Sequence, residues 1–200
     1  MGQRAVFLDR DGVLVRDVGP LTSADDIVLT PGVADGLNQL KAAGFLLVVV
    51  SNQTVVARGL LNENAVMELQ AQIQKRIANA GGPSLDDFLF CPHHPSATEA
   101  AYRRDCGCRK PAPGLLLEAA LKHGISLEQS FMIGDRPSDV AAGLRAGCTT
   151  IMLTTGAHTA PPIEVTGGFE ARPPHHVAAD LPDAAAIVLG KALPRLGAAS

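Results

Sequence analysis

A three-layer α/β fold, with a parallel sheet covered by helices on both faces, is the architecture this sequence predicts, and three observations predict it. Short apolar runs recur along the chain, amphipathic stretches of helical period lie between them, and Gly and Pro mark the joins. The apolar runs fall at residues 5–8, 46–50, 88–90, 131–133 and 150–153. Each is short and apolar at successive positions, so each reads as a strand buried on both faces, which is how strands of a parallel sheet are written.

The helices follow in order. Thr30 and Pro31 offer an N-cap and a first-turn proline, Val33, Leu37 and Leu40 share one face, and Gly44 ends the helix. Asn62 can cap a second helix whose buried stripe is Val66, Leu69, Ile73 and Ile77. A third helix is predicted over residues 113–123 and stops at Gly124; a fourth spans 138–146 and stops at Gly147. A last helix covers 182–193. Two stretches break the rhythm and read as loops: 91–110, which has no sustained period, and 157–176, which is rich in Pro and Gly. The second fits either a flap or a tolerated surface insertion, and the absence of clustered chemistry favours the insertion.

With 200 residues, 46% of them apolar and 18% charged, the chain has material for one domain, residues 1–200, with a substantial core. A net charge of -3 provides no overall basic field for nucleic acid or anionic lipid. The start of the chain, apolar only from Ala5 to Leu8 before Asp9, is too short for a signal peptide or membrane span. A cytoplasmic monomer acting on a small molecule, with no nucleic-acid or membrane partner, is therefore expected.

Ligands of open parallel sheets bind beyond the carboxyl ends of the strands. Just after the apolar runs stand Asp9-Arg10-Asp11-Gly12, Ser51-Asn52-Gln53 and Gly134-Asp135, with Asp139 four residues on. Asp9, Asp135 and a backbone carbonyl, that of Asp11, suit Mg2+, which prefers hard oxygen ligands. Asp9 can then act as nucleophile toward phosphorus, and Asp11 as acid and base for the leaving oxygen and the incoming water. Ser51 can donate to the phosphoryl group and Lys110 can supply charge to it. Asp139 is placed either to cap a helix or to support the metal.

In order, DRDGV at 9–13, SNQ at 51–53, RKP at 109–111 and GDRPSD at 134–139 resemble the four motifs of the haloacid dehalogenase superfamily. The resemblance covers residues 5–155 and implies its Rossmann-like fold; no stretch of the sequence offers a large helical cap domain, so loops alone are expected to select the substrate. It implies Asp9 as nucleophile, Asp11 as acid/base, Ser51 and Lys110 on phosphate, and Asp135 on magnesium. Val13 stands where that family usually has Thr.

Cys91, His93, Cys106 and Cys108 form two closely spaced pairs whose donors suit a closed tetrahedral Zn2+ site, and His94 is an alternative imidazole. The same spacing fits a reduced, metal-free loop. Arg109 and Lys110 follow at once, so a metal here would hold two cations over the phosphate site. Cys148, alone after Gly147, reads as a small core residue. The segments CPHH and CGCRKPAPG resemble the zinc loop of the heptose bisphosphate phosphatase branch, whose sister acts on histidinol phosphate with a shorter spacing. That resemblance implies hydrolysis of the 7-phosphate of a heptose 1,7-bisphosphate in making bacterial surface glycans, with Asn52, Arg58 and Arg109 touching the sugar substrate. The alternatives are a histidinol-phosphate or other small-metabolite phosphatase and, in a different class, an inactive zinc-stabilised binding module.

Overall fold

The computed structural model describes residues 2–154 and 172–192. Six strands, β1 (Ala5–Leu8), β2 (Leu46–Asn52), β3 (Asp87–Cys91), β4 (Phe131–Gly134), β5 (Thr149–Leu153) and β6 (His176–Ala178), form one sheet in the order β3-β2-β1-β4-β5-β6. Every neighbouring pair is parallel. Parallel strands need crossovers, and helices α1 (Val33–Ala42), α2 (Thr54–Ala57), α3 (Glu63–Asn79), α4 (Gly114–His123) and α5 (Pro137–Ala146) supply those between β1 and β5, while α6 (Leu181–Ala192) follows the last strand.

Alternation along the strands divides the core in two. Val6, Leu8, Leu47, Val49, Ile133 and Ile151 pack with Leu37 and Leu40 of α1, Ile73 and Ile77 of α3, and Val188 of α6. Their neighbours Ala5, Phe7, Val48, Val50 and Met132 face the other way, onto Leu115, Leu116 and Ala119 of α4 and Ala142 of α5. That is the predicted three-layer arrangement, and no separate helical cap unit stands among the described residues. At about 1.5–3 kcal/mol per fully buried aliphatic side chain, these two layers supply the main force that holds the sheet.

Local signals place most boundaries well. Asn62 caps α3 by accepting the Ala65 N–H at 2.8 Å, and Gly124 and Gly147 end α4 and α5 in the left-handed conformation. One boundary is corrected: α1 starts at Val33 behind Gly32, not at Pro31 behind Thr30. The Thr30 hydroxyl donates to the Val13 carbonyl at 2.6 Å, so it ties down the turn after β1 and is not available as a cap. The short helix α2 and strand β6 were not expected; β6 forms because its three residues find a parallel partner in Ile151, Met152 and Leu153. The Pro- and Gly-rich stretch falls almost wholly outside the described residues, apart from 172–176. No described helix is long and apolar enough to cross a membrane.

Candidate active site

After β1 the chain adds β2 and β3 on one side, then returns across β1 to lay β4, β5 and β6 on the other. The strand order therefore reverses between β1 and β4, and helices leave that point in opposite directions, opening a crevice at the carboxyl ends of the strands. Asp9 follows β1 and Asp135 follows β4, and both are buried at this crevice. Asp139, on the first turn of α5, completes a group of three carboxylates whose oxygens lie within 4.8 Å of one another.

Lys110 enters this group from the opposite side. Its Nζ lies 2.9 Å from Asp9 Oδ1 and 2.7 Å from Asp139 Oδ1, and it donates to the Val50 carbonyl at 2.8 Å. The ammonium is 3% exposed, a burial that disfavours charge, but the Asp139 and Asp9 charges outweigh that effect and hold its pKa above the ordinary lysine value. Asp139 has two tasks: Oδ1 fixes Lys110 while Oδ2 accepts the Arg136 N–H at 3.1 Å, capping α5. The two sequence-level alternatives for Asp139 are thus met by different oxygens of one carboxylate.

Three buried carboxylates against one ammonium leave an excess of negative charge. Asp135 shows the consequence: both of its oxygens are buried without a hydrogen-bond partner among the described residues. Burial, together with the Asp139 and Asp9 charges, pushes its carboxyl up to about 7. Gly12 leaves the space this carboxylate occupies, since a Cβ there would lie 2.1 Å from Asp135 Oδ2, and its φ of +83° suits glycine. Orphaned hard oxygens and uncompensated charge at one point fit a divalent cation such as Mg2+.

Asp11, two residues beyond Asp9, turns its carboxylate elsewhere. Arg10 holds it through Nε to Oδ1 at 3.0 Å and Nη2 to Oδ2 at 2.9 Å, and Gln53 Nε2 donates to Oδ2 at 3.2 Å. The same Gln53 nitrogen donates to Ser51 Oγ at 2.8 Å, leaving the hydroxyl proton of that buried serine to donate in turn. Burial raises the Asp11 pKa, and the Asp9 charge adds to the rise, against the opposing pull of Arg10. A raised carboxyl pKa favours the protonated form that a general acid needs in order to give a proton to a leaving oxygen.

The second metal-type cluster lies where β3 ends. Cys108 Sγ is 3.1 Å from Cys91 Sγ, 3.2 Å from Cys106 Sγ and 3.4 Å from His93 Nδ1, and Cys91 Sγ is 3.6 Å from the same nitrogen. Three sulfurs and one imidazole nitrogen converging on one point have the composition of a closed structural zinc site. His93, not His94, faces the thiols; His94 Nδ1 instead accepts the Ser96 N–H at 3.1 Å. The cluster also reaches the crevice: Arg109 Nη1 donates to the His93 carbonyl at 3.1 Å, and the Asn52 amide grips the Lys110 peptide, donating to its carbonyl at 2.9 Å and accepting its N–H at 3.0 Å.

Comparison with known proteins places the chain in a family. A family model described as HAD-hydrolase-like matches residues 107–184. A D-glycero-beta-D-manno-heptose-1,7-bisphosphate 7-phosphatase from Photorhabdus laumondii is 41% identical over 156 residues, 78% of this chain and 82% of the relative. The chain belongs to the HAD-like heptose bisphosphate phosphatase family. The protein of the same name from Escherichia coli is 37% identical over 161 residues, 80% of this chain and 84% of its own length. A solved D,D-heptose 1,7-bisphosphate phosphatase from B. bronchiseptica, complexed with magnesium and phosphate, superposes with a TM-score of 0.78 at 27% identity, covering 94% of this chain and 99% of that one.

In this phosphatase one cavity of ≈ 1010 Å³ has as its inner wall seven of the residues singled out by sequence, Asp9, Asp11, Ser51, Asn52, Arg109, Lys110 and Asp139. Arg58, the C-terminal cap of α2, is exposed and stands on its rim. Asp135 lies behind the cavity lining, and Cys148 is a buried core residue against the α4 and α5 layer. Cys91, His93, Cys106 and Cys108 sit outside the cavity lining and support it through Arg109. Three contributors were missed. Arg10 and Gln53 stand inside the sequence motifs with no role that their position alone assigns, and Arg136 lines the cavity while its Nη2 holds Asp17 Oδ2 at 2.6 Å. Only Gln53 offered a signal: a polar amide directly after a buried strand, where an exposed residue is not required.

Proposed function

We propose that this phosphatase hydrolyses the 7-phosphate of D-glycero-D-manno-heptose 1,7-bisphosphate through an aspartyl-phosphate intermediate on Asp9. The observation that carries the chemistry is the meeting of Asp9, Lys110 and the orphaned Asp135 carboxylate at the point where the strand order reverses. The substrate class rests on the names of the relatives.

Asp9 Oδ1, held by Lys110 and by the Arg10 N–H at 2.7 Å, presents its carboxylate to the cavity, and a carboxylate so fixed attacks phosphorus without first losing hydration. Asp11 protonates the departing sugar oxygen, then removes a proton from the water that hydrolyses the aspartyl phosphate. Ser51, Lys110 and the backbone beyond β1 bind and orient the phosphoryl oxygens. Asp9, Asp135 and the Asp11 carbonyl would hold Mg2+, which when bound supplies neutralising charge between the anionic nucleophile and the anionic phosphate. Cys91, His93, Cys106 and Cys108 would hold zinc, which fixes the loop bearing Arg109 and Lys110. Asn52, Arg58 and Arg109 take the sugar and its second phosphate, where planar guanidinium forks recognise oxyanions.

Rapid-quench labelling with 32P substrate tests the chemistry, and a parallel assay tests the substrate. The wild-type protein is expected to yield a trapped acyl phosphate, Asp9→Asn none, and heptose 1,7-bisphosphate is expected to exceed histidinol phosphate in kcat/KM by roughly 100-fold or more. Turnover in Asp9→Asn at the wild-type rate would overturn the mechanism, and a preference for histidinol phosphate would overturn the substrate.

A further inference from the structure

We propose that Arg10 is the positioning residue for Asp11, orienting the acid/base carboxyl for both proton transfers; this rests on the phosphatase reading above. Arg10 is the largest fully buried side chain in the described structure, at 1% exposure, although it stands between two acidic residues where an exposed charge is the ordinary expectation. Nη2 contacts both Asp11 oxygens, at 3.0 and 2.9 Å, and Nε adds a 3.0 Å bond to Oδ1. The rigid fork of a guanidinium fixes the plane and direction of a carboxylate, which a lysine, as a point charge, cannot do.

Stability is a poor explanation for the arrangement. A buried ion pair gives little or no net stability over apolar residues of the same volume, and the remaining terminal nitrogen, Nη1, is buried with no partner among the described residues. Orientation explains it better, because the same residue also fixes the nucleophile through its backbone N–H on Asp9 Oδ1. Arg10 thus sets the relation between attacking and proton-transferring groups from a single position. In the first half-reaction the bond from Asp9 oxygen to phosphorus forms, the bond to the sugar oxygen breaks, and the Asp11 proton goes to that oxygen. In the second, water oxygen bonds to phosphorus, the bond from Asp9 oxygen to phosphorus breaks to free the carboxylate, and Asp11 receives the water proton. Loss of orientation should therefore matter in proportion to how much the leaving group needs a proton.

The test compares an alkyl phosphate, heptose 1,7-bisphosphate, with p-nitrophenyl phosphate, whose nitrophenolate leaves unprotonated, in single-turnover and burst experiments on the full chain with Mg2+. Arg10→Gln is expected to slow the alkyl half-reaction by roughly 100-fold while leaving the nitrophenolate burst within about threefold of wild type, because only the former needs the acid. Its phosphoenzyme should accumulate, since the base that opens it is misplaced. In an Asp11→Asn background the same change should add nothing. Arg10→Lys keeps the buried charge without the fork, and is expected to show a smaller loss of the same selectivity; it carries the test if Arg10→Gln does not fold. Equal losses on both phosphates, no loss on either, or an added loss on top of Asp11→Asn would overturn the proposal. Absence of a phosphoenzyme in the wild type would instead sink the functional reading beneath it.

Discussion

Replacing Gly12 with Ala tests whether the crevice is shaped around the Asp135 carboxylate. The added Cβ would lie 2.1 Å from Asp135 Oδ2 and 2.4 Å from Cγ, where ordinary contact begins near 3.4 Å, so the carboxylate must retreat by roughly 1 Å. The φ of +83° adds a backbone penalty of about 1–2 kcal/mol for any residue with a Cβ. Mg2+ tolerates little displacement, with ligand distances of about 2.0–2.1 Å in near-octahedral geometry. A catalytic group misplaced by about 1 Å costs on the order of 100-fold in rate. Gly12→Ala is therefore expected to lower kcat/KM by about 100-fold, to raise the Mg2+ concentration needed for half-maximal activity by at least about tenfold, and to lower unfolding free energy by about 1–2 kcal/mol. Mg2+ titrations of activity, with urea unfolding of the metal-free protein, measure all three. A variant with wild-type Mg2+ dependence and turnover would refute the inference that Gly12 makes room for a metal-binding Asp135.

Lys110→Met leaves Asp9 and Asp139 buried without their shared cation, so a loss of about 3–5 kcal/mol in urea unfolding is expected alongside loss of turnover; a loss below 1 kcal/mol would contradict the buried pairing. Asp135 gives a pH dependence. Its folded pKa, raised from 3.8 to about 7, means that its favourable contribution is complete below pH 3.8 and is lost as pH rises through 7, a change on the order of 4 kcal/mol. Metal-free protein should accordingly lose stability as pH rises from 3.8 to about 7, and Mg2+ should restore it mainly at the upper end; equal stabilisation by Mg2+ at both ends of that window in thermal melts would speak against this. Cys106→Ser is expected to lower zinc content from about one per chain and to reduce turnover through Arg109 and Lys110, as checked by metal analysis of purified protein; wild-type protein free of zinc would remove the basis of that expectation.

Local sequence was sufficient for much of the fold because strand and helix periods and their terminators are written in consecutive residues. Residues 131–133 and 46–50 are apolar at every position because both faces of those strands are covered, and Gly124 and Gly147 stop their helices by conformation alone. Asp9, Asp135 and Lys110 were legible as a set for a related reason: each lies directly after an apolar run or beside the cysteine cluster. The strand β6 and the helix α2 were not, since three and four residues carry too little period to be read without their partners.

Tertiary structure decided what depends on direction and distance across the chain. His93 and His94 are chemically identical neighbours, and only the path of the loop after β3 turns one imidazole toward the thiols and the other toward Ser96. Asp139 could have been a cap or a partner for charge, and the position of Lys110, 29 residues earlier, made it both. Arg10 is the sharpest case: an arginine between two aspartates has the local pattern of a solvated turn, yet the packing of the sheet encloses it. Sequence by itself determined the longer elements and the chemistry they carry, because periodicity and side-chain type are local properties. Which of those groups meet, and which are shut away from water, followed from the strand order, because contact and burial are properties of the assembled layers.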